Sequence, residues 1–237
     1  MCTRRVLLAL ALSMFPFGFV YAKESDAVVP VPREGKWMER HDLINTRAKD
    51  GAAAQVIFLG DSITQGWEGA GKEIWTKSYD SLKAINAGIG GDRTQHVLWR
   101  LENGNIQGVK PKVAVLMIGT NNSGMNTSEE IAAGITAIVK KLQTSLPETK
   151  VLVLGIFPRG PDTNDIRRKV NEGANAIVSK LDNGKSVFYL DIGPKFLSQD
   201  GVLSKEIMPD LLHLSPKGYQ IWADSIEPTL KKLLADS

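Results

Sequence analysis

The chain has very little of what several kinds of protein chemistry require. Its single cysteine, Cys2, lies at the extreme start of 237 residues. One cysteine at that position builds no disulfide framework, no thiol nucleophile and no zinc–thiolate site. It also precedes the first apolar run, which is the wrong place for a lipidated cysteine. Histidine is almost as scarce, with three in the whole chain. None has a nearby His or Cys to complete a ligand set, so no metal and no other cofactor is expected. Charge of one sign is lacking too. The formal net charge is +3, and Arg4 and Arg5 at the start account for two of it. Without a long basic block, the composition excludes a case for nucleic acid or an anionic membrane as partner.

Long apolar runs are also missing after Val20. The run from Val6 to Val20 follows Arg4 and Arg5 and ends at Val20-Tyr21-Ala22. That is the pattern of a cleavable secretory signal, residues 1–22, with Lys23 the first mature residue. Pro16 and Gly18 interrupt the run, and it is short for a membrane span. The expectation is a secreted or periplasmic protein with no stable membrane insertion after cleavage.

What remains is ordinary globular composition, 43% hydrophobic and 23% charged, with no repeat, linker or low-complexity tract. One domain is expected over residues 37–237, after an extended arm at 23–36 with Pro30 and Pro32. Helical patterns near 37–49, 72–81, 93–102, 128–146, 165–182 and 216–235 surround five apolar runs. Those runs are Val56–Leu59, Leu82–Asn86, Val113–Ile118, Val151–Ile156 and Val187–Leu190. Strands alternating with helices imply right-handed crossovers and an α/β fold with a five-stranded parallel sheet covered on both faces. Thr127 and Glu130 form a capping box ahead of the best-defined helix.

Two loops imitate phosphate sites and fail on chemistry. Gly66–Glu73 nearly matches a Walker A loop, but Glu73 stands where a magnesium-binding hydroxyl belongs. Gly88–Arg93 begins like a dinucleotide fingerprint, but Arg93 replaces its third glycine.

The informative stretch is Val56–Trp67. Four apolar residues read as a buried strand, Gly60-Asp61 as its tight end, and Ser62 as the first side chain beyond it. Ligands of open α/β sheets sit at that end. A serine nucleophile there needs a base, an orienting acid and oxyanion donors. His41 falls in the first helix as a surface or packing residue, and His96 lies inside a helix with Val97, Leu98 and Leu101, where a structural role is expected. His213 lies in a loop, three residues after Asp210, so the carboxylate can reach one ring nitrogen while the other faces outward. By itself this D-x-x-H pair is equally a helix cap. In a flavodoxin-like sheet of order 2-1-3-4-5, strand one lies between two and three. The glycine loop at 88–92 and the Gly119-Thr120-Asn121-Asn122 loop then converge on Ser62.

Gly60-Asp61-Ser62-Ile63, the glycine turn, Gly119–Asn122 and Asp210–His213 together resemble blocks I, II, III and V of the GDSL/SGNH hydrolases. Within that superfamily the chain more closely resembles the catalytic subunits of intracellular (type I) platelet-activating factor acetylhydrolase. His96–Gly104, Pro111-Lys112 and Phe157-Pro158-Arg159-Gly160 share that branch's pattern. The resemblance implies a three-layer α/β/α sandwich and a serine esterase for acetyl or other short acyl esters. Ser62 would be nucleophile, His213 base, and Asp210 the orienting acid. The N–H groups of Ser62 and Gly91 and the Asn121 amide would hold the oxyanion. Ile63, Thr120 and Leu212 match positions that narrow the acyl pocket. The branch forms dimers, so a homodimer is an option here, while the role of Arg159 stays open. The departure is the leader, since those subunits are intracellular. It points to an exported acetyl ester, carbohydrate first, as substrate. A sugar O-acetyltransferase, a glycan-binding module and a long-chain lipase are the alternatives.

Overall fold

The computed structural model describes residues 25–236. The expected signal segment, with Lys23, therefore lies outside the described residues. From Ser25 the chain makes a short turn at Asp26–Val28 and runs extended to helix α1, Lys36–Asp50.

Five strands follow: β1 Val56–Gly60, β2 Ile85–Gly88, β3 Val113–Met117, β4 Lys150–Leu154 and β5 Val187–Leu190. All pair in parallel, as the crossover pattern predicts, and in the order β2-β1-β3-β4-β5 of a flavodoxin-like sheet. Gly60 sits opposite Gly88 on one side and Met117 on the other. The carboxyl ends of β2, β1 and β3 are therefore level, and the loops leaving them meet.

Alternation along each strand makes the three layers. Ile57, Leu59, Ala114, Leu116, Val151 and Val153 face one core with α1, α4 (Thr94–Glu102), α5 (Ser128–Ser145) and α6 (Ile166–Val178). Val56, Phe58, Val113, Val115 and Leu152 face the other, with α3 (Lys72–Tyr79) and α7 (Pro216–Ala235). The first core is mainly aliphatic. The second stacks Phe58, Trp67, Tyr79, Tyr219 and Trp222 against one another.

The structure moves some boundaries. Leu82, expected in the second strand, ends a 3-10 turn, and the backbone reverses at Lys83 with φ 49° before β2 starts at Ile85. The α6 helix stops at Val178, and a 3-10 turn completes the stretch. A short helix unannounced by periodicity, α2 at Ser62–Gln65, follows β1 directly. The capping box is formed as expected: Glu130 N–H donates to Thr127 Oγ1, and Thr127 N–H to Glu130 Oε2. No helix among the described residues is long and apolar enough to cross a membrane.

Candidate active site

Ser62 owes its position to Asp61. The Asp61 carboxylate accepts the Ile63 N–H at 2.9 Å, capping α2 and turning the chain out of β1. Tyr219 Oη donates to Ile63 O at 2.7 Å, tying the turn to α7. Asp61 is fully buried, and burial pushes its carboxyl up to about 7, with the Ile63 N–H opposing.

His213 arrives from the loop before α7. Ser62 Oγ lies 2.9 Å from His213 Nε2, and His213 Nδ1 lies 2.6 Å from Asp210 Oδ2. A carboxylate only accepts, so Nδ1 carries the proton and Nε2 is left to accept from the serine hydroxyl. Asp210 Oδ1 also accepts the N–H groups of Leu212 and His213, at 3.1 and 2.7 Å. Burial raises the Asp210 carboxyl, but the His213 ring and backbone N–H bonds outweigh it and hold the group below the usual carboxylate range. The loop bends at Leu211, whose φ is 61°.

The opposite wall is the loop after β2. Gly91 adopts φ 74°, and a Cβ there would stand 3.0 Å from an Arg33 guanidinium nitrogen. Glycine meets both demands. Arg33 Nη1 holds Gly90 O at 2.8 Å, and Gln65 Oε1 accepts Gly90 N–H at 2.7 Å. Among the described residues, the N–H groups of Ser62 and Gly91 have no acceptor. Asn121, from the loop after β3, donates Nδ2 to Asp92 O at 2.9 Å. The same nitrogen stands 3.5 Å from Asp61 Oδ2, at the outer limit of a hydrogen bond.

The sequence reading missed what holds this wall. Asp92 and Arg100 are an ion pair with no exposed side-chain surface, 2.8 Å apart. Arg100 also donates to Gly60 O, Ala87 O and Asn105 Oδ1, so one guanidinium grips the ends of β1 and β2. Trp37 Nε1 donates to the second Asp92 oxygen at 2.6 Å. The available signal was an arginine three residues after Val97, on the apolar stripe of a helix. His96 and His41 are structural, as expected. His96 Nδ1 accepts the Arg93 N–H at the start of α4, and burial lowers its ring pKa to about 4. His41 stacks on Trp37.

Two of the three acyl-pocket candidates are close-packed. Ile63 and Thr120 are 1% and 2% exposed, and Leu212 is half-buried. Thr120 is held by Arg159, whose Nη1 donates to its carbonyl and hydroxyl at 3.1 and 3.2 Å. Among the described residues there is no group of three or more His, Cys, Asp or Glu able to hold a metal ion.

A hydroxyl, an imidazole and a carboxylate in one hydrogen-bonded line can pass a proton away from the hydroxyl oxygen. Comparison with known proteins gives the family. Residues 58–221 match the model of the GDSL-like lipase/acylhydrolase family. The chain belongs to that family. It is accordingly a carboxylic ester hydrolase. It is 39% identical over 214 residues to the human platelet-activating factor acetylhydrolase IB subunit alpha1, covering 90% of this chain and 91% of that one. Among solved structures, a GDSL-like lipase from Bacteroides thetaiotaomicron shares the fold at TM-score 0.62 and 18% identity, covering 82% of this chain and 97% of that one. A carbohydrate acetylesterase family member from Sinorhizobium meliloti does so at 0.60 and 15%, covering 77% and 99%.

Proposed function

We propose that this family member is an exported serine esterase that removes acetyl or other short acyl groups from a small-molecule or glycan ester. The observation that carries the reading is the Ser62–His213–Asp210 line, at 2.9 and 2.6 Å, with the Gly90 backbone packed against Ser62. Ser62 Oγ attacks the ester carbonyl carbon while His213 Nε2 takes the hydroxyl proton. The N–H groups of Ser62 and Gly91 receive the oxyanion, joined by the Asn121 hydrogen that lies only loosely against Asp61. Collapse breaks the bond to the alcohol, which leaves with the proton from His213. Water, deprotonated by His213, then releases the acid from Ser62. Asp210 keeps the imidazole in the tautomer this cycle needs.

Tight packing at Ile63 and Thr120 supports a short acyl group. The leader residues support export, and an exported enzyme meets acetylated carbohydrate more readily than cytosolic phospholipid. The test is hydrolysis of p-nitrophenyl esters from acetate to octanoate by the wild type and Ser62→Ala. Acetate is expected to be turned over fastest, and Ser62→Ala to lose activity by about 10³-fold or more. Preference for octanoate would overturn the short-acyl reading, and an active Ser62→Ala would overturn the mechanism. Export is tested by sequencing the N-terminus of protein recovered outside the cytoplasm, where Lys23 is the expected first residue.

A further inference from the structure

The extended arm ahead of α1 ends against the site. It is pinned at three points over the starts of α4 and α5. Asn126 Nδ2 donates to Asp26 Oδ1 at 2.6 Å, Thr94 Oγ1 to Ala27 O at 2.7 Å, and Val31 N–H to Gln95 O at 3.3 Å. Ala27 is fully buried, and a Cβ at Gly134 of α5 would lie 2.7 Å from its carbonyl oxygen. Beyond these pins Arg33 crosses to the loop after β2. Its Nη1 donates to Gly90 O at 2.8 Å and stands 3.8 Å from the buried Asp92 carboxylate.

The carbonyl that Arg33 holds lies at the centre of a β-turn. Asp92 N–H donates to Ile89 O at 3.2 Å, which closes a four-residue turn over Gly90 and Gly91. With φ 74° at Gly91, its third residue, and no positive φ at Gly90, the turn is type II. Gly90 O and the Gly91 N–H belong to one planar peptide unit and point in opposite directions. Fixing the first therefore fixes the second. A half-turn of that unit would give a type I turn with the same closing bond, and two glycines admit both forms. Gln65 holds the Gly90 N–H, which belongs to the preceding peptide. The bond that tells the two forms apart is the one from Arg33.

Building on the esterase reading, we propose that Arg33 is a positioning residue for the oxyanion site. By holding Gly90 O it keeps the central peptide of the turn in the type II orientation, which presents the Gly91 N–H to the developing charge. A charged donor on the carbonyl also polarises the unit and makes its N–H a stronger donor. Arg33 touches neither the substrate nor the reacting atoms in this scheme and acts only through Gly91. The arm from Ser25 to Arg33 then counts toward turnover as well as toward the fold.

The test compares the wild type with Arg33→Met, which removes the donor, and Arg33→Lys, which keeps one donor and the charge. The Arg33 side chain is 39% exposed, so both variants should fold. Three quantities are read: kcat and KM on p-nitrophenyl acetate, the Gly91 amide signal in 15N-labelled protein, and the unfolding midpoint. In Arg33→Met, kcat is expected to fall roughly tenfold with KM little changed, because the misplaced donor serves the transition state. The Gly91 signal should shift or double as the type I turn becomes populated, and Arg33→Lys should recover most of both. An unchanged kcat in Arg33→Met would overturn the proposal, as would a fall in kcat with the Gly91 signal unmoved. Equal losses in both variants that follow the unfolding midpoint would also overturn it, making Arg33 a brace for the arm alone. A wild type inactive on the ester would count against the esterase reading instead, and the Gly91 signal would still report whether Arg33 holds the turn.

Discussion

The two walls of the site are built in opposite ways. On the proposed oxyanion side, Asp92 and Arg100 have no exposed side-chain surface, and their bonds run to Trp37, Gly60, Ala87 and Asn105. On the proposed proton-transfer side, the side chains of Asp210 and His213 are 56% and 45% exposed, and the carboxylate bonds only within its own loop. Oxyanion donors work by being fixed before charge develops, so their wall needs a rigid, dry frame. An imidazole that first takes and then gives a proton needs its tautomer held, which one carboxylate three residues away can do. The same two residue types, a carboxylate and its cationic or ring partner, serve stability on one wall and, in the proposed mechanism, chemistry on the other.

That contrast is broken most severely by Asp210→Asn. On the exposed wall kcat/KM is expected to fall about 10³- to 10⁴-fold through loss of the tautomer. The urea unfolding free energy should move by less than about 1 kcal/mol, as for an exposed pair. A large stability loss would erase the distinction. The buried wall should answer in the other currency. Arg100→Met leaves Asp92 an unpaired buried charge, and equilibrium unfolding should show a loss of about 3–5 kcal/mol. Adding Asp92→Asn to that variant should recover part of it, because the stranded charge is gone.

A smaller effect is expected at Gly91. Alanine there must hold φ 74°, which costs about 1–2 kcal/mol. Its displaced N–H should also lower kcat by up to about 10². An effect of a different kind concerns Asp61, buried between the walls. In the folded chain its proton stays until about pH 7, whereas in the unfolded chain it leaves near the ordinary 3.8. Between those values the unfolded state binds fewer protons, so stability is greatest below that window and falls as pH rises through it. Urea midpoints at pH 5 and pH 8 should therefore differ more in the wild type than in Asp61→Asn. Equal differences would show that Asp61 does not carry this linkage.

Much of this was legible in the residues. Four apolar residues before Gly60-Asp61-Ser62, and the alternation after them, sufficed for the parallel sheet, while its order came only with the flavodoxin-like arrangement that the family resemblance implies. Asp210 and His213 were readable because a three-residue spacing in a loop is a local geometry. Strand two was misplaced by three residues because Leu82 belongs to the apolar run by composition, while the reversal at Lys83 leaves no trace in periodicity. The helix Ser62–Gln65 was missed because one turn is too short to show a period.

Local chemistry along the chain therefore determined which side chains could react and which strand ends would carry them. Tertiary structure alone decided that Arg100, eight residues past Asp92 in sequence, also reaches Gly60 forty residues away. It alone placed Arg33 against Gly90 and latched the Arg159 loop to Leu211. A sequence pattern reports on neighbours within a turn or a strand, where geometry is set by the backbone. A buried charge takes its partners from whichever distant segments packing brings to it, and no local period encodes that choice.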